Sequence, residues 1–417
     1  MDSDQAHATR HFPLLWFGQG ASRFGTAITT VVMPLAAVTV LGTGTFLVTA
    51  IQAAVWLPWL VIGLPAGAWV DRLPRRATML VCDLTSALTL ATVPLAAWTG
   101  TLTVAHLVAV ALVLGTVAVF FSTAGRAFLP DIVPAERLPG ANARLQGTDA
   151  GAQILGPAAG GLVAQFSGAV TGLLIDALTF LVSASCLRAI RVPEPRFAAR
   201  EKRTTTFRAE IADGLRFVFR DPYLRVFTVH AGASNLAASA LQAILIVFLV
   251  RTVGLSESVV GVVVGAAGIG GVAGALVVTG LAGRIGSART ILILELGATP
   301  FALLIPLTTT GFGLVYLMAG GLTVSVAIVA SNVLIGSFTQ SYCPPHLLGR
   351  VSASLHFVNF STLPLGALMG GFLAEVAGLR ATMWVVASLA VASSLILLAG
   401  PIRKTRSLPS RATDAVH

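Results

Sequence analysis

Arg23 and Asp149 are charged side chains set inside long apolar stretches. An ionised group there is costly, so each is a functional candidate by default. Arg23 can bind an anionic group on a ligand, or it can hold a carboxylate in a structural ion pair, with Asp149 as the partner. Asp149 can also serve as the proton carrier. Asn235, Gln52 and Gln242 offer hydrogen-bonding groups to a ligand from other apolar stretches. His230 and His356 can titrate near neutral pH, and they read equally as packing or interfacial residues. This chemistry binds a small solute and moves a proton. Phosphate-cradling loops, nucleophile motifs and His-rich metal clusters are missing from the sequence, so neither an enzyme nor a bound cofactor or metal is expected. Cys82, Cys186 and Cys343 lack metal spacing, and their odd number argues against a disulfide framework.

The elements that must position these groups follow from composition. Of 417 residues, 55% are hydrophobic and only 11% charged, against roughly 25% charged in soluble domains. Apolar runs near 12–40, 46–69, 77–98, 102–125, 142–166 and 169–190 form one set. Runs near 224–250, 258–282, 289–309, 312–338, 351–376 and 381–401 form a second. Each exceeds the ~20 residues that a helix needs to cross a bilayer, whereas a barrel would need ~10-residue alternating segments. The expectation is an all-α membrane protein of twelve transmembrane helices. Trp16, Trp56, Trp59, Trp69 and Trp98 lie near run ends, as interfacial indoles do.

The net charge of +10 would suggest nucleic acid in a soluble chain. Here the arginines collect in loops between spans, and no nucleic-acid partner is expected. One set of loops holds Arg72, Arg75 and Arg76; Arg126, Arg137 and Arg144; Arg284 and Arg289; and Arg350. The alternate loops hold only Arg251 and Arg380. This asymmetry predicts both termini in the cytoplasm of a bacterial inner-membrane protein. Asp2, Asp4 and the length of the first run argue against a cleaved signal peptide.

The halves overlay with a shift of about 210 residues. Gly20, Ala21 and Ser22 recur as Gly232, Ala233 and Ser234; Arg72 falls on Arg284, Asp83 on Glu295 and Pro94 on Pro306. Further on, Pro134 falls on Pro344, and Gly156, Gly160 and Gly161 on Gly366, Gly370 and Gly371. Asn235 takes the place of Arg23. The expected organisation is a six-helix bundle over 1–190, a linker over 191–223, a second bundle over 224–401 and a tail over 402–417. In the linker, Phe207, Ile211, Leu215, Val218 and Phe219 recur at helical spacing. They predict an amphipathic helix on the inner leaflet, or an ordinary solvated one. Two pseudo-symmetric bundles in parallel orientation can rock about a shared site and expose it to each side in turn.

Three motifs carry a family resemblance. The loop after the second span reads Gly67, Asp71, Arg72, Arg75 and Arg76. It resembles the loop signature of the major facilitator superfamily, with Pro74 in place of a usual glycine. The resemblance implies that Gly67 allows close helix approach and that Asp71 pairs with Arg126 as a cytoplasmic latch. A topology-setting basic turn is the plainer reading. In the second half Gly283 replaces the acid. The fifth span carries Gly151, Gly156, Pro157, Gly160 and Gly161. This resembles the signature of antiporters and exporters in that superfamily, although Ala152 departs from it; generic small-residue packing explains the same residues. The segment Pro130, Asp131, Pro134, Glu136, Arg137, Leu138 is similar to the branch of bacterial drug, macrolide and siderophore exporters. The resemblance also implies that the third, sixth and ninth spans are peripheral, which favours structural roles for Asp83, Asp176 and Glu295.

The function expected is proton-coupled export of small amphipathic or hydrophobic molecules by a monomer in the lipid bilayer, through a largely apolar cavity. The alternative is an importer, symporter or uniporter, of a nutrient or siderophore.

Overall fold

The computed structural model of the protein describes residues 2–63, 65–70, 72–191 and 215–409. The described residues are nearly all helical, and the helices follow the expected apolar runs. The first six spans are Asp2–Thr39, Thr45–Ile62 (extended by the short helix Pro65–Val70), Arg75–Trp98, Val104–Ile132, Leu138–Ser167 and Ala169–Ala189. The second six are Pro222–Val247, Glu257–Ile285, Ser287–Ala298, Leu314–Tyr342, Pro345–Ala377 and Leu379–Leu395.

Among the described residues, eleven helical spans are long and apolar enough to cross a membrane, and the fifth falls short of that apolar content. It has 30 residues, ample for a crossing. However, Arg144, Asp149, Gln146 and its many glycines dilute its apolar character. The ninth span continues through Thr299–Leu307 as 3-10 helix. Pro300 and Pro306 have no N–H to give an α-helical ladder there.

The chain forms two compact units, one of residues 1–200 with 255–265, the other of 201–254 with 266–417. Within the first unit the first span packs on the fifth and sixth. A Cβ on Gly156 would lie 2.4 Å from the Ala27 Cβ, and one on Gly160 would lie 3.1 Å from the Ile28 carbonyl oxygen. The second unit repeats this contact. A Cβ on Gly366 would lie 2.4 Å from the Leu236 carbonyl oxygen, and one on Gly370 would lie 2.9 Å from that of Ala240. Gly161 faces Gly261 at the start of the eighth span, within the first unit. The turns repeat as well: Gly168 and Gly378 join consecutive spans with φ of 84° and 85°, angles that cost glycine little.

Two glycines of the expected signatures do not serve close packing. A Cβ on Gly67 or Gly151 would meet nothing within 4 Å among the described residues. The second span instead meets the fourth at Gly115, where a Cβ would lie 2.2 Å from the Val55 carbonyl oxygen. Gly156→Ala is therefore expected to cost about 1–3 kcal/mol through overpacking. Gly151→Ala should be neutral or slightly stabilising, because alanine favours helix. Melting temperatures in detergent check this contrast, and equal values would contradict it.

Of the linker helix, Phe207 and Ile211 lie outside the described residues, while residues 215–220 are helical. Val218 is fully buried against Leu224, Phe227 and Phe338 in the core of the second unit.

Candidate solute groove

The first, fourth and fifth spans enclose a groove of about 440 Å³ in the first unit. That falls in the ~300–1,000 Å³ range of small-molecule sites. Helical periodicity explains who lines it. Leu15, Gln19 and Arg23 stand four residues apart on the first span, Ser122, Arg126 and Leu129 share a face of the fourth, and Asn142, Leu145, Gln146 and Asp149 share a face of the fifth. The expected cavity was largely apolar. The groove is instead mixed, with eight of its fourteen lining residues polar or charged. The polar groups come from the same fifth span whose low apolar content sets it apart.

Arg23 and Asp149 come together in this groove. Arg23 Nε lies 3.6 Å from Asp149 Oδ1, with the two side chains 50% and 30% exposed. Trp16 Nε1–H donates to Thr148 Oγ1 at 2.8 Å beside the pair. The other solute candidates lie elsewhere. Gln52 is half-buried on the second span and does not line the groove. Gln242 is exposed on the seventh. In the second unit, Asn235 Nδ2–H donates to Asn359 Oδ1 at 3.2 Å. This contact is the repeat of Arg23–Asp149, since Asn235 overlays Arg23 and a shift of 210 places Asp149 on Asn359. Asn359 was not among the residues singled out from sequence, although the overlay of the glycine cluster would have found it.

The loop after the second span is tied into the first unit. Arg75 donates to both oxygens of Asp131, at 2.7 and 2.9 Å, and to the Ala127 carbonyl at 2.9 Å. Arg76 donates to the Ile190 carbonyl, while Arg72 is exposed. Asp71 lies outside the described residues, and Arg126 lines the groove, exposed. Asp131 thus ties this loop to the end of the fourth span. Arg75→Asp should slow transport severalfold, and Arg75→Asp with Asp131→Arg should recover part of it; the ratio of initial transport rates in vesicles checks this. No recovery would show that the pair does not act as a unit.

Two buried acids have structural partners. Asp176 accepts from Thr29 Oγ1 at 2.5 Å and from Thr179 Oγ1 at 3.2 Å. Gly25 makes room for it, because a Cβ there would lie 2.3 Å from Asp176 Oδ1. Glu295 accepts from Thr299 Oγ1 at 3.2 Å and lies 3.8 Å from His230 Nε2. His230 Nδ1 stands 2.9 Å from the Ser393 carbonyl. A carbonyl only accepts, so Nδ1 carries the proton and Nε2 faces the carboxylate. Asp83, at the position equivalent to Glu295, is fully buried beside Ser183.

A family model described as Major Facilitator Superfamily matches residues 15–363. The chain belongs to that superfamily. It is a multi-pass membrane transporter of twelve helices in two pseudo-symmetric six-helix bundles. Among curated relatives, it is 30% identical to the multidrug efflux pump Tap of Mycolicibacterium fortuitum over 338 residues, 78% of this chain and 80% of that one. It is 30% identical to Tap of Mycobacterium tuberculosis over 375 residues, 87% of each chain. The superfamily transporter is similar in fold to the nucleoside transporter NupG, with a TM-score of 0.75 at 13% identity, covering 95% of this chain and 99% of that one. It is similarly close to a bacterial homologue of the iron transporter ferroportin in an inward-facing state, with a TM-score of 0.74 at 16% identity, covering 94% and 98%.

Proposed function

We propose that this superfamily member is a proton-coupled exporter of small amphipathic molecules, working by alternating access. The observation that carries the reading is the Arg23–Asp149 pair, half-exposed in a groove of solute size. A carboxylate held by a single 3.6 Å contact can exchange its cation for a proton or for a donor group on a cargo. Its place on the fifth span, below Gly156 and Gly160, which pack on the first span, couples this exchange to the helices lining the groove. The two Tap relatives, named as multidrug efflux pumps, support the outward direction. The Arg-rich loops would lie in the cytoplasm with both termini, so the groove, at that end of the first bundle, loads from inside. Protons entering from outside would release cargo there.

The second reading is an importer of a polar nutrient, which the polar lining of the groove favours. Everted vesicles with an imposed pH gradient separate the two. For an exporter, adding an amphipathic cargo from a panel of dyes and antibiotics dissipates the gradient only in vesicles that contain the protein. Indifference to every compound would count against export.

A further inference from the structure

Resting on the export reading above, we infer that the cargo of this groove is zwitterionic, placing an anionic group on Arg23 and an ammonium group on Asp149. Three observations lead there. First, the ions are not needed for packing: the second unit makes the equivalent helix contact with Asn235 and Asn359, at 3.2 Å and without charge. Secondly, the ion pair is loose. Only Nε of Arg23 meets Asp149, at 3.6 Å, and half of the side chain is exposed. Among the described residues the terminal nitrogens of Arg23 carry no hydrogen bond, and a planar guanidinium fork suits a carboxylate or similar group. Thirdly, the groove holds two guanidiniums, Arg23 and Arg126, to one carboxylate. The sixth and eighth spans, which also pack on the fifth, carry Asp176 and Glu257, and neither lines the groove.

The sign of coupling then selects the cargo. A purely cationic cargo meets an excess of positive charge. A purely anionic cargo binds better once Asp149 is protonated, because protonation removes the repulsive charge beside Arg23. By linkage it binds together with the proton, the opposite of exchange. A zwitterion satisfies both constraints. Its anion takes the guanidinium, and its ammonium competes with the proton for Asp149. Because the protein's two charges are 3.6 Å apart, the cargo's charges must also be close together. Its apolar body has Leu15, Phe121, Leu129 and Leu145 to rest on.

The test is equilibrium binding to the purified full chain in detergent, read by dansyl fluorescence. The three probes share one apolar body: Nε-dansyl-lysine (zwitterion), its methyl ester (cation) and its Nα-acetyl derivative (anion). The zwitterion should bind roughly tenfold or more tightly than either. At about pH 6 the carboxylate and the α-ammonium of the probes are both ionised, so the three differ only in the charges named. Asp149→Asn should remove the preference for the zwitterion over the anion, and Arg23→Gln should remove the preference for the zwitterion over the ester. Equal affinity for the three probes, undetectable binding included, would overturn the inference, as would tightest binding of the ester. The wild-type comparison decides even if a variant fails to fold. No gradient is present, so this pattern can hold while export fails, or fail while gradient-coupled export holds.

Discussion

Asp149→Asn is expected to reduce pH-gradient-driven efflux in everted vesicles to the background of vesicles without the protein. An asparagine cannot take up the proton, so the exchange loses its ion while the helix contact survives. The second unit holds the equivalent crossing with an uncharged pair, Asn235 and Asn359. Accumulation and melting temperature should therefore stay close to wild type, because a half-exposed ion pair contributes only about 0–1 kcal/mol. Gradient-driven transport at the wild-type rate would remove Asp149 from the coupling step and leave Arg23–Asp149 as an ordinary surface pair.

The largest effect on stability is expected at Glu295→Ala. Glu295 and His230 are both about 3% exposed, and the carboxylate accepts from Thr299 of its own span while facing His230 of the seventh at 3.8 Å. Removing it strands the His230 ring nitrogen and the Thr299 hydroxyl in the interior of the second unit. Breaking one partner of a buried pair costs about 3–5 kcal/mol, enough to unfold much of a marginally stable protein. The variant should accumulate poorly and melt well below wild type. Replacing both residues, Glu295→Leu with His230→Leu, should recover a good part of the loss, because no buried polar group is then orphaned. An unchanged melting temperature for Glu295→Ala would mean that the pair is not the strut between these spans.

The spans were legible because bilayer thickness sets a length that composition can report. The fifth is instructive: its glycines and polar groups dilute the apolar signal, yet those residues line the groove and pack against the first span. The repeat was legible from the ordered match of Asp83 with Glu295 and of the glycine clusters. It carried more than was drawn from it, since the same overlay pairs Asp149 with Asn359. The pairing of Arg23 with Asp149 was one of two readings open to the sequence, because residues 126 positions apart reveal no distance. The roles of Gly67 and Gly151 were misjudged for a related reason. A glycine allows close approach only where a neighbouring helix arrives, and the neighbours arrive instead at Gly115, Gly156, Gly160 and Gly161. Arg75 with Asp131, and His230 with Glu295, were invisible as pairs because tertiary packing alone brings them together. The polar character of the groove was missed because mean composition averages over lipid-facing and groove-facing sides of each helix.

Direction of transport under proton control is the claim on which the account turns, and efflux from intact cells measures it. Bacteria expressing the chain, preloaded with a fluorescent amphipathic dye and re-energised, should lose the dye several times faster than cells carrying Asp149→Asn. A protonophore should bring the two to the same slow rate. Faster uptake of the dye into wild-type cells, or efflux that ignores the protonophore, would contradict a proton-driven exporter.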